Sequence, residues 1–267
     1  MGYYNPTIER IKMMRRLLTT ILLFALSFSS IAGSQADRRI FGYTYPYMTL
    51  PKGTLELEHY LDIGLNKWDN SATPDLEESW TQVDWKHQIE FEYGITDRLD
   101  FGFYNVFSQK PYGTFSYDGL KLRSRYRFLD PGALFIDPAI YLEVGYFGEE
   151  IKFEEMIILA KHLGNFELAF NAKAEQEIIL EDKSWEYELL PLVGVGYHFN
   201  HNFALSLEYY GKLKIEQGEV EYFVSYLGPA LSVAGGNFYW TVAIQPQLGT
   251  RDSLAAVQIR SLFGAIL

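Results

Sequence analysis

The sequence predicts an all-β chain, a transmembrane up-and-down antiparallel β-barrel of about twelve strands, and three observations carry the prediction. Apolar and polar residues alternate with period two over most of the chain, the signature of strands with two unlike faces. An export signal precedes the first strand. Short turns then alternate with longer polar connections, the order that an outer-membrane barrel with both ends in the periplasm requires.

The export signal is read first. Arg15-Arg16 is followed by the apolar run LLTTILLFALSF, Leu17 to Phe28, and then by small residues up to Ala32 and Ala36. These are the three regions of a secretory signal peptide. A spanning helix needs roughly 20 apolar residues, and this run has 12. Ser-Ile-Ala ending at Ala32 and Ser-Gln-Ala ending at Ala36 both fit the small-x-small cleavage rule; the second is preferred because charge begins at Asp37. The chain divides accordingly into an N-terminal extension with signal peptide (1–36), a periplasmic N-terminal segment (37–52) and an outer-membrane barrel (53–267).

Removing residues 1–36 leaves 19 basic and 33 acidic residues, a net charge of −14. So acidic a chain is repelled by phosphate backbones, which makes nucleic acid a poor partner, and none is expected. There is no cysteine, hence no disulfide, thiolate metal site or cysteine nucleophile. The 19 Phe, 20 Tyr and 5 Trp favour strands over helices.

The strands follow in order. TLELEHYLDIGL sets Leu55, Leu57, Leu61, Ile63 and Leu65 against Glu56, Glu58, Tyr60 and Asp62. VDWKHQIEFEYGITDRLDFGFYN, Val83 to Asn105, is a hairpin: Val83, Trp85, Ile89, Phe91 and Tyr93 oppose Asp84, Lys86, Gln88, Glu90 and Glu92, and the alternation resumes after Gly94–Arg98. The fourth strand, GLKLRSRYRF, alternates Leu120, Leu122, Tyr126 and Phe128 with Lys121, Arg123, Arg125 and Arg127; the fifth is PAIYLEVGY. The sixth, around Glu155 to His162, has mixed phase. The seventh is FELAFNAKAEQ, the eighth runs from about Trp185 to Tyr197, and the ninth is FALSLEYY. The tenth lies near Tyr222 to Val233, the eleventh is FYWTVAIQPQL, and the twelfth covers Leu254 to Leu267.

Connections after even-numbered strands are mostly short: Gly94 to Arg98, Gly164-Asn165, Asn200 to Asn202 and Gly235 to Asn237. Those after odd-numbered strands include Asn66 to Ser79, Ser108 to Gly119 and Gly211 to Glu219, all polar. Aromatic residues such as Tyr93, Tyr126, Phe128, Tyr197 and Phe238 fall near strand ends, where interfacial girdles belong. With these features the signal peptide, the segment RRIFGYTYPYMTLPKGTLELE and the turn EYGITDRLDFGF together resemble the bacterial outer-membrane β-barrel proteins described as transporters or porin-like. The resemblance implies outer-membrane lipid, lipopolysaccharide and the barrel-assembly machinery as partners. Many such barrels end on an aromatic residue, whereas this chain ends SLFGAIL, with Phe263 four residues before Leu267.

If the apolar face meets lipid, Lys121, Arg123, Arg125 and Arg127 face the lumen, because a cation on the lipid face at mid-bilayer costs roughly 2–4 kcal/mol. The acids Glu56, Glu58, Asp62, Asp84, Glu90 and Glu92, with Lys86 among them, share the inner face. Opposed signs across a lumen would set up a transverse field that selects polar solutes; paired with one another, the same charges would brace a closed interior. The segment Asp37 to Lys52, with Tyr43, Tyr45 and Tyr47 around Pro46, is expected to be an extra interfacial strand end, the alternative being a plug folded into the lumen.

Enzymatic signatures are weak. None of the five histidines forms the His-x-Ser pair that would set base beside nucleophile on one strand face. His198 and His201 have ligand-like spacing but are read as turn residues, and phosphate-loop, calcium-loop and dinucleotide patterns are absent. The sequence therefore calls for no catalytic residue, cofactor or metal. The expectation is a channel, monomeric or oligomeric, for passive diffusion of small polar solutes. A non-conducting structural or surface-interaction barrel is the alternative, and a lipid-modifying enzyme the weaker one.

Overall fold

A computed structural model describes residues 39–65, 83–109, 114–181, 183–216, 218–249 and 254–267. Twelve antiparallel strands form one closed barrel in simple up-and-down order. They are β1 (Leu55–Leu65), β2 (Val83–Thr96), β3 (Leu99–Gln109), β4 (Phe115–Arg127), β5 (Asp137–Tyr146) and β6 (Glu150–Leu163), then β7 (Phe166–Ile179), β8 (Trp185–Asn200), β9 (Phe203–Glu216), β10 (Glu219–Gly235), β11 (Phe238–Leu248) and β12 (Val257–Ile266). Pairing of β1 with β12, from Glu56↔Ile266 to Leu65↔Val257, closes the cylinder and leaves no edge. The signal peptide and the connection Asn66–Ser79 lie outside the described residues.

The apolar face of the alternation is the outside. Phe91, Phe101, Leu122, Leu142, Phe170, Val193, Leu207, Ile244 and Phe263 are all exposed around the wall, a surface suited to lipid and not to water. Tyr93, Tyr126, Phe128, Phe166 and Phe199 are exposed in a belt at the end of the barrel that carries the two-residue turns 97–98, 164–165, 201–202 and 236–237. Two-residue turns and an aromatic belt are what the periplasmic side of an outer-membrane barrel carries, and by that general rule this end is assigned as periplasmic.

Three expectations are corrected. Gly211 to Glu219 is not a polar loop, because β9 runs on to Glu216 and β10 starts at Glu219. Leu213 and Ile215 alternate with Lys212 and Lys214, so the period-two pattern continues through the charges. Ser108 to Gly119 likewise shrinks, since β3 reaches Gln109 and β4 begins at Phe115. Third, residues 39–51 are not an interfacial strand end but enter the barrel: Ile40, Phe41, Tyr47 and Leu50 are buried, packing on the inner wall.

That inner packing explains the mixed phase of β6. Met156, Ile158 and Ala160 point inward and join Ile40, Phe41 and Tyr47 in one cluster with Ala139, Tyr141, Ala169 and Ala204, while Phe153 and Ile157 point out. A strand greasy on both faces shows no alternation.

Candidate functional site

The interior has two storeys. The periplasmic half is filled by residues 39–51, hereafter the plug, and the outer half is an open cavity.

The plug is tethered by its backbone. At its foot Lys52 N–H donates to Asp97 Oδ1 (3.0 Å), Thr49 Oγ1 donates to Asp97 O (2.8 Å), and Leu50 N–H donates to Asp100 Oδ2 (3.1 Å). Farther in, Asn171 brackets Tyr45, accepting from its N–H at 2.6 Å and donating to its carbonyl at 3.0 Å. Glu208, fully buried on β9, accepts from three consecutive N–H groups, those of Gly42 (2.7 Å), Tyr43 (2.9 Å) and Thr44 (2.8 Å). The Arg39 carbonyl accepts from Thr241 Oγ1, and the Ile40 carbonyl accepts from Ser206 Oγ at 3.0 Å. An irregular segment buried in a barrel has no ladder of its own, so wall side chains supply its partners.

Close approach demands glycine where plug meets wall. A Cβ on Gly194 would stand 2.6 Å from the Phe41 ring, and one on Gly196 would stand 2.2 Å from Ile40 Cδ1. The Val-Gly-Val-Gly run of β8 is therefore a seat for the plug.

The basic ladder of β4 points inward but does not border open space, except at Lys121. Arg123 donates from Nε to Glu90 Oε1 (2.7 Å) and also pairs with Glu92 and Asp100. Arg125 reaches Glu92 Oε1 (2.9 Å) and Asp100 Oδ2 (3.0 Å). All five side chains are at least 96 % buried, so they form a desolvated network. Of the two arrangements the sequence left open, these side chains take the paired one and not a transverse field, because β2, β3 and β4 are adjacent in the wall. Arg127 is buried at the foot, donating to Thr49 Oγ1 (3.1 Å) and the Asp97 carbonyl (2.8 Å). Glu58 is buried with Arg39, Tyr60 and Tyr239, and Glu56 is buried below it.

The remaining predicted residues, Asp62, Asp84, Lys86 and Lys121, line the cavity, which holds about 1170 Å³. Its floor includes Tyr43, Tyr45 and Tyr60, and it extends to Asp84, Gln109 and Glu149 at the far ends of the strands. Nine carboxylates and six cations line it. Most are paired across neighbouring strands: Lys121–Glu143 (2.8 Å), Lys173–Glu154 (2.8 Å), Lys173–Glu175 (2.7 Å), Lys212–Glu188 (2.7 Å) and Arg260–Asp62 (2.5 Å). Sequence reasoning missed the β6–β9 part of this ring, although Lys173 and Glu175 sit at successive inward positions of a strand it identified.

Comparisons with known proteins agree with this architecture. No protein-family model and no curated protein matches the chain. Among solved structures, an outer-membrane channel from Pseudomonas putida F1 superposes with a TM-score of 0.57 at 10% identity, over 83% of this chain and 98% of that one. The NanC porin gives 0.56 at 10% identity over 80% of this chain and the whole of its own. The KdgM porin in complex with disordered oligogalacturonate gives 0.50 at 9% identity, over 80% and 97%. The chain has the fold of bacterial outer-membrane porin and channel barrels.

Proposed function

We propose that the protein is an outer-membrane channel for small polar solutes, with the charged outer cavity as its vestibule and the plug as its gate. The observation that carries the reading is the division of the lumen. The outer half is an open cavity of about 1170 Å³ lined by charged side chains, which offer a polar solute hydrogen-bonding partners in place of water. The inner half is closed by a segment joined to the wall through side-chain hydrogen bonds, with no strand ladder of its own. Such a segment can leave without breaking the barrel. The likeness to solved channels and porins supports the same reading.

The excess of three carboxylates in the vestibule favours cations over anions. Planar-bilayer recording is the test. Deleting residues 39–50 should raise single-channel conductance above that of the intact chain, with cations carrying most current. A deletion variant that folds and passes no ions sinks the channel reading. It would leave the non-conducting structural barrel, which the close packing of the inner half otherwise favours.

A further inference from the structure

The periplasmic mouth holds three side chains whose arrangement goes beyond a channel wall. His162 is the last inward residue of β6, Glu167 the first of β7, and His198 stands on β8 one inward position beyond Gly196, which pairs with Glu167. Antiparallel register thus brings two imidazoles against one carboxylate. Glu167 Oε2 lies 2.9 Å from His198 Nε2 and 3.3 Å from His162 Nε2, and all three ligand atoms fall within 4.8 Å of one another. Adjacent ligand atoms of a tetrahedral zinc site are about 3.4 Å apart, given bonds of roughly 2.1 Å. Only small side-chain shifts separate the two geometries.

We propose that His162, Glu167 and His198 bind a divalent transition cation, such as Zn²⁺, at the periplasmic mouth. Two imidazoles and a carboxylate are a donor set that such cations take with a fourth position open to water. His162 has 44% of its side chain exposed, which gives the ion an entry, while Glu167 is 6% exposed and held in place. Tyr47 of the plug packs its ring 6.4 Å from that of His162, so the bound ion would fasten three strand ends beside the foot of the gate. The sequence had drawn attention to His198 and His201; the fold keeps His198 and supplies its partners from neighbouring strands.

The test uses tag-free, full-length mature protein refolded in detergent, stripped with chelator and titrated with ZnCl₂ by calorimetry. One equivalent per chain is expected. His198→Ala and Glu167→Gln should each weaken binding beyond the roughly 10–100-fold that loss of an outer-shell partner costs. His87→Gln, in the other histidine pair, where His59 Nε2 lies 3.2 Å from His87 Nδ1, should bind as the wild type does. Co²⁺ loaded into the wild type should show visible bands of a low-symmetry site with nitrogen ligands, a readout that needs no variant to fold. Absence of stoichiometric Zn²⁺ binding by the wild type overturns the proposal. So does binding that survives the His162→Ala/His198→Ala double substitution, or that is lost in His87→Gln.

Discussion

Glu208→Ala is the substitution that isolates the gate. Glu208 is fully buried, and its carboxylate accepts from three successive plug N–H groups at 2.7–2.9 Å. Hydrogen bonds to a charged acceptor contribute about 1.5–3 kcal/mol each. Desolvating the carboxylate as the plug docks offsets part of that sum. A net loss of roughly 3 kcal/mol follows for Glu208→Ala, which lowers the ratio of docked to undocked plug about 100-fold at 1.4 kcal/mol per factor of ten. The barrel itself should keep its stability, because the backbone ladder of β9 with β8 and β10 does not involve this side chain. Two measurements read the shift: open time in planar bilayers, and chymotrypsin cleavage at Phe41, Tyr43 and Tyr47, which are buried while the plug is docked. Glu208→Gln keeps one acceptor oxygen and should fall between the two. A Glu208→Ala channel with wild-type open time and wild-type resistance to chymotrypsin would refute the reasoning.

Other substitutions separate the remaining parts. Arg123→Met strands Glu90, Glu92 and Asp100 beside a single guanidinium and should cost about 3–5 kcal/mol in urea unfolding; an unchanged midpoint means the network does not hold the wall. Lys212→Met, at a pair nearer water, should stay within about 1 kcal/mol by the same measurement. Leu207→Arg places a charge on an outer-face residue that is 52% exposed and should cost roughly 2–4 kcal/mol in phosphatidylcholine vesicles, so an unaffected variant would remove Leu207 from the lipid belt. Glu154→Gln with Glu188→Gln takes the vestibule from nine carboxylates to seven against six cations. The reversal potential in a salt gradient should then move toward anions, and a fixed potential would put the conducting path elsewhere.

The wall was legible because its outer face meets one solvent throughout. Leu205 and Leu207 of β9, or Phe101 and Phe103 of β3, repeat every second residue whatever happens inside, and period two reveals that repeat directly. The inner face has two solvents, water above and the plug below, so Met156 and Ile158 are apolar while Lys173 and Glu175 are charged. No local pattern announces which inner residues will be covered. Glu90 and Glu92 were among the acids weighed as partners of the β4 ladder, but Asp100 was missed for a related reason. Alternation tells which way a side chain points, not which neighbour it meets, and Asp100 sits between ladder and acids on a strand whose other inward residues are mostly uncharged. The plug did leave marks, in the Tyr43-Thr44-Tyr45-Pro46-Tyr47 run and in the Val-Gly-Val-Gly of β8, but they lie roughly 150 residues apart and gain meaning only together.

The plug's anchors also bear on the order in which the molecule can assemble. Its bonds reach Asn171, Glu208, Ser232, Thr241 and Arg260, at separations of 126 to 218 positions along the chain. Contacts that distant form late, since the intervening chain must be arranged before they can be made. Residues 39–51 leave the ribosome ahead of every strand, yet their sockets on β9 to β12 exist only once the last hairpins have joined the wall. A segment translated before every strand is thus the last to reach its native partners, and protection of Phe41 and Tyr43 from protease during refolding would time the completion of the cylinder.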